Sequence, residues 1–135
     1  MTLDRATSHP LNSAVWTIEG DDHKLTPVPM DAAFWPNMKA GKIPNDGLIS
    51  FYFLDFDFPQ KEMHPKGDEL LVLHDGQATV YLEGPDGVTA HTLKARESLL
   101  IPKGVWHWAQ CVTPGWLTVI TFGGRTEHKA LTSVA

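Results

Sequence analysis

A chain of 135 residues, 42% apolar and 20% charged, is bounded to one small domain spanning 1–135, long enough to hold a real core without disulfide staples. With 16 acids against 11 lysines and arginines, a formal net charge of −5 and no basic block, it repels phosphate backbones and anionic lipid, which excludes nucleic acid as a partner. No apolar run approaches the roughly 18 residues of a membrane span. The lone Cys111 closes no intrachain bridge, and Met1 to Leu11 carries Asp4, Arg5 and Pro10 in place of a leader pattern, so a cytoplasmic protein is expected.

Ten prolines and eleven glycines are spread along the whole chain and cut it into pieces too short for long helices. The pieces are rich in Val, Leu, Ile, Thr and aromatics, which is all-β punctuation. Residues 1–46 read as an irregular extension: Val15 to Ile18 suggests a strand, but Pro27, Pro29, Pro36 and Pro44 break the stretch after it into fragments and loops. A helical turn is possible only near Asp31 to Phe34, before Pro36 stops it. From Gly47 the pattern sharpens. An apolar run from Leu48 to Phe58 reads as a strand, with Asp55 and Asp57 on one face. Strands come next at Glu69 to Leu73, Gln77 to Glu83 and Val88 to Lys94, joined by the turns His74-Asp75-Gly76 and Gly84-Pro85-Asp86-Gly87. Leu99 to Ile101, Val105 to Cys111 and Leu117 to Phe122 complete the set. Seven or more short strands with tight turns predict a closed barrel or two facing sheets, which hide both the apolar face and the edges.

Two segments carry candidate chemistry. In Lys61-Glu62-Met63-His64-Pro65-Lys66-Gly67-Asp68-Glu69, an extended backbone points Glu62 and His64 the same way, and Glu69 opens a strand on the face of Leu71 and Leu73. A carboxylate among core residues needs a partner or a metal. In Pro102-Lys103-Gly104-Val105-Trp106-His107-Trp108, alternation puts His107 on the face of Val105, Ala109 and Cys111, with Trp106 and Trp108 opposite. Seven histidines beside one cysteine leave room for an imidazole and carboxylate metal site.

These segments resemble the two motifs of the cupin superfamily, G-x5-H-x-H-x3/4-E-x6-G and G-x5-P-x-G-x2-H-x3-N. His64, Glu69 and Gly76 keep the spacing of the first motif, and Pro102, Gly104 and His107 keep that of the second. Phe56, Glu62, Arg96 and Cys111 replace the opening glycine, the first histidine, the second motif's glycine and its closing asparagine. The resemblance implies a double-stranded β-helix, the cupin or jelly-roll barrel, over about 47–123, and one divalent metal on His64, Glu69 and His107. Fe(II) suits that set, with Mn, Zn and Ni as alternatives. Glu62 is a fourth ligand, a general base near the metal, or neither.

The remaining candidates read more plainly. Trp106 and Trp108 are expected to pack, Cys111 to fill space, and His74 and His91 to face solvent. His9, His23 and His128 fall in the irregular ends, solvated or closing the barrel mouth, and Asp55 and Asp57 line the barrel mouth or are hydrated. The resemblance implies a metal-dependent enzyme acting on a small organic molecule inside the barrel, by dioxygenase-type oxidation first and isomerase or lyase chemistry next. A non-catalytic small-molecule binder or sensor is the alternative. Exposed edges and five tryptophans point to a homodimer.

Overall fold

A computed structural model describes residues 3–132. A 3-10 turn at Leu3–Arg5 precedes the strands β1 (Ala14–Glu19) and β2 (Lys24–Pro29) and a short helix α1 (Phe34–Lys39). The strands β3 (Gly47–Leu54), β4 (Gln60–Met63), β5 (Glu69–Leu73), β6 (Gln77–Gly84) and β7 (Gly87–Lys94) come after the helix. Then come β8 (Glu97–Ile101), β9 (His107–Thr113), β10 (Gly115–Phe122) and β11 (Glu127–Ala130). All pairings are antiparallel and make two sheets, one in the order β2-β1-β3-β10-β5-β8 and one in the order β11-β4-β9-β6-β7. No helix among the described residues is long and apolar enough to cross a membrane.

The core lies between the sheets. Leu54, Leu71, Leu73, Ile101 and Leu117 from the six-stranded sheet meet Ala78, Val80, Leu93 and Ala109 from the five-stranded one. Each large aliphatic side chain buried there contributes roughly 1.5–3 kcal/mol, an upper figure because the unfolded chain is not fully exposed. β5 shows the cause in miniature: Glu69, Leu71 and Leu73 are buried, and Leu70 and Val72 between them are half-buried. The register of β5 is held at its far end by a tight corner. Gly76, at φ 78°, and Gly115 lie so close to the backbones of Thr113 and Asp75 that no Cβ fits. There the Trp116 amide donates to Asp75, and the His74 amide donates to the Trp116 carbonyl at 2.9 Å.

Several expectations need correction. The strand expected over 48–58 ends at Leu54, because the chain then crosses toward the other sheet. The Phe58 amide donates to the Ala109 carbonyl at 2.9 Å, and Asp57 Oδ1 accepts the Cys111 amide at 2.8 Å. Asp57 is therefore a tie between segments, neither a lining of the mouth nor simply hydrated. β2 forms despite Pro27 and Pro29 because it is an edge strand, where a missing N–H costs no ladder bond on the open side. The helix starts at Phe34, later than expected, and contains Pro36. A proline in the first turn lacks only an amide that would have no helical acceptor. β4 and β11, short and polar, have no counterpart in the expected strands.

Candidate metal centre

Glu62 sits on β4 directly opposite His107 on β9, the register pair that joins these strands. Paired residues share a face, so both project inward. His64 lies just past the end of β4 and is brought alongside by stitching between loops. The Gly104 amide donates to the His64 carbonyl at 2.9 Å, and the Lys103 amide donates to Asp68 Oδ1 at 2.8 Å. The imidazoles of His64 and His107 consequently lie 5.3 Å apart, centre to centre. Glu69 enters from the opposite sheet at the start of β5. Its Oε1 stands 3.4 Å from His107 Nε2, its Oε2 is against His64 Nε2, and Oε2 also accepts the Thr121 hydroxyl at 3.0 Å.

The structure thus gathers all four residues singled out from the sequence. Donor atoms of Glu62, His64 and His107 lie within 4.8 Å of one another, and Glu69 bridges the two imidazoles. Two donors each about 2.1 Å from one ion stand roughly 3.0–4.2 Å apart, a range that holds the His107–Glu69 pair at 3.4 Å and the His107–Glu62 pair at 4.0 Å. The imidazoles are also oriented for it. His107 Nδ1 lies 3.1 Å from the Val105 carbonyl and donates to it, which leaves Nε2 with its lone pair in the neutral ring. His64 Nδ1 is held by the Thr126 hydroxyl at 3.0 Å. Both Nε2 atoms are buried and converge on the Glu69 carboxylate, with no other hydrogen-bond partner among the described residues. Two buried imidazole nitrogens turned toward two carboxylates are a donor set that fits a divalent cation.

The charges agree. Burial pushes Glu69 up, but contacts with His107 and then His64 outweigh it and bring its carboxyl down to about 2, so it is ionised. Burial lowers His107, and Glu69 more than offsets this and raises it. Glu62 is raised, first by burial and then by the Glu69 charge, against the pull of three histidines.

Three contributors escaped the sequence reading. Tyr52, on the inner face of β3 opposite Leu117, is pushed up to about 12 by burial and by the two carboxylates, so its phenol stays protonated. Its parity with Leu48 and Ser50 was a readable signal. Thr126 carried no signal. His128, expected in an irregular end, lies on β11 with its Nε2 3.6 Å from Glu62 Oε1.

Of the other candidates, Trp106 and Trp108 pack on the outer face, beneath the ammonium groups of Lys129 and Lys61. His74 is exposed and meets the Thr118 hydroxyl at 2.6 Å. His91 is half-buried rather than solvated, because it pairs with the buried Val80 and shares the inward face of Leu93. Cys111 packs against the core, as expected of a filler. A cleft of about 420 Å³ touches Glu69 but is otherwise lined by Asp68, Leu70, Leu100 and Phe122. The last three belong to the outer face of their sheet, so it opens away from the histidines.

Solved structures share this architecture. A protein with a double-stranded β-helix domain from Klebsiella pneumoniae is 17% identical, with a TM-score of 0.53 over 63% of this chain and 76% of that one. The fold is the double-stranded β-helix. A variant of salicylate 1,2-dioxygenase from Pseudoaminobacter salicylatoxidans is 15% identical, with a TM-score of 0.52 over 62% of this chain but only 25% of that enzyme. A cupin-2 domain protein from Shewanella frigidimarina is 23% identical, with a TM-score of 0.48 over 58% of this chain and 72% of that one. No family model matches the sequence, and no curated protein is similar to it. Within the double-stranded β-helix the candidate centre lies between the two sheets, with Glu69 from one and Glu62 and His107 from the other.

Proposed function

We propose that the chain is a metal-dependent enzyme acting on a small organic molecule inside the barrel, by dioxygenase-type oxidation in preference to isomerase or lyase chemistry. The observation that carries this reading is the convergence of the buried Nε2 atoms of His64 and His107 on the Glu69 carboxylate, with Glu62 beside them. Two imidazoles and one carboxylate would hold the ion on one side and leave positions for substrate, a set that suits Fe(II) and accommodates Mn, Zn or Ni. The bound metal would supply Lewis acidity and a site for dioxygen. The chain's own part is to hold and orient. Glu69 is the ionised anchor. Glu62, with 32% of its side chain exposed, stands at the rim beside the two imidazoles, where it adds a fourth ligand or serves as the base that takes a substrate proton. The Tyr52 phenol keeps its proton as a hydrogen-bond donor.

The test is metal analysis of protein purified without chelator, then oxygen uptake by the Fe(II)-loaded chain across catechols, thiols and keto acids. Uptake with any of these classes supports oxidation. Metal bound with no turnover makes the chain a binding cupin, and no metal under any loading removes the centre. We also infer a cytoplasmic homodimer. The outer face of the six-stranded sheet carries Trp16, Ile49, Ile120, Leu70 and Leu100 in one paired row, and Leu100 is 54% exposed; a second copy covers such a face. A sedimentation mass of one chain at micromolar concentration contradicts it.

A further inference from the structure

β11 pairs with β4 in register, so Glu62 stands between His128 on one side and His107 on the other. These three form an inward row, while Lys129 and Lys61, paired one position along, point outward. The outer pair is fastened. Both ammonium groups donate to Glu83 on β6, and they lie 4.3 Å and 4.8 Å from the rings of Trp106 and Trp108, respectively. Anchored through that face, β11 holds the His128 imidazole against Glu62 from the other. Glu62 Oε1 faces His128 Nε2 at 3.6 Å, and Oε2 faces His107 Nε2 at 4.0 Å. A carboxylate with each oxygen facing a different imidazole has its orientation set from both sides.

We propose that His128 is a positioning residue of the metal centre, acting through the Glu62 carboxylate, so that the C-terminal strand completes a site opened by β4, β5 and β9. This inference rests on the metal reading above. Among the described carboxylates near the centre, His128 meets Glu62 within 4.0 Å and does not meet Glu69, which favours action through Glu62 over direct ligation.

Co(II) titration of the full chain tests it, with affinity from calorimetry and ligand geometry from visible absorption of the bound cobalt. His128 is 38% exposed, so truncation opens no core cavity, and thermal unfolding of the metal-free variants checks that they fold. His128→Ala is expected to weaken Co(II) binding about tenfold and to alter the absorption, the size typical of a group that orients a ligand. His128→Gln, whose amide N–H can still donate to Oε1, is expected to restore affinity to within about threefold. In a Glu62→Ala background, His128→Ala is expected to change nothing further. Affinity and absorption unchanged in His128→Ala overturn the positioning role while leaving the metal reading intact. An effect that persists undiminished without Glu62 also overturns it, making His128 a direct ligand. Failure of the unaltered chain to bind Co(II) overturns the metal reading itself, and the positioning role with it.

Discussion

The two faces of the five-stranded sheet carry polar clusters built from adjacent residues of the same strands. Lys61, Trp106, Trp108 and Lys129 point outward, and Glu62, His107 and His128, their chain neighbours, point inward. The outer cluster is closed: Lys61, only 4% exposed, and Lys129 both donate to Glu83 and rest on indole rings. The inner cluster is open, with two carboxylates near one another and two buried imidazole nitrogens converging on one of them. A closed set of charges needs nothing more to be stable, whereas an open one is a binding site for whatever completes it.

Breaking the closed face has the largest expected effect. Glu83→Ala removes the carboxylate shared by both ammonium groups and leaves Lys61 buried without it. The expected loss is about 3 kcal/mol of unfolding free energy, the lower end for a broken buried ion pair because Lys129 is partly solvated. Urea unfolding with an unchanged slope measures it. A loss below about 1 kcal/mol would place this cluster among surface pairs.

On the open face, completion should stabilise. A divalent ion at a hundred times its dissociation constant is expected to raise the unfolding free energy by about 2.7 kcal/mol, read as an upward shift in Tm. In His107→Ala that shift is expected to vanish. A shift that survives unchanged moves the ion elsewhere.

The difference between the faces also sets how far each was legible. His64, Glu69 and His107 could be picked out because their spacing lies within local segments, and β5, β6 and β10 because apolar residues recur in them. β4 and β11, reading QKEM and EHKA, offer no alternation of apolar and polar residues. Their partners are chosen by a register that only the folded chain displays. Lys61 could not be foreseen as buried, nor His128 as part of the site, for that reason. Arg96 is a milder case: it occupies the position of a motif glycine and adopts φ 69°, a left-handed conformation that glycine takes without strain.

The pH dependence of stability sets Glu83 on the outer face and Glu62 on the inner one apart by sign. Burial pushes Glu83 up, but Lys61 and Lys129 outweigh it and hold the carboxyl below its ordinary 4.5. A depressed acid stabilises the fold above its unfolded value, and that contribution is lost as pH falls through the folded value. Unfolding free energy should therefore drop as pH falls below about 4.5, the ordinary value, and the drop should be shallower in Glu83→Gln. Equal slopes would mean that Glu83 gains nothing from its lysines.

Glu62 gives the smallest effect and the opposite sign. Burial and the neighbouring Glu69 raise its carboxyl, so in the metal-free chain its negative charge opposes folding above the ordinary carboxylate range, and the opposition fades as pH falls and the group takes up a proton. Glu62→Gln keeps the shape and removes the charge. Because about a third of the side chain meets water (32%), the expected gain in metal-free stability at neutral pH is a few tenths of a kcal/mol, at most about 1, with weaker metal binding alongside. One neutralised glutamate would then stabilise the chain from the inner face while another destabilises it from the outer face of the same sheet. A Glu62→Gln chain less stable than the original would show that Glu62 already belongs to a satisfied network, and the inner face would then have no need of a cation.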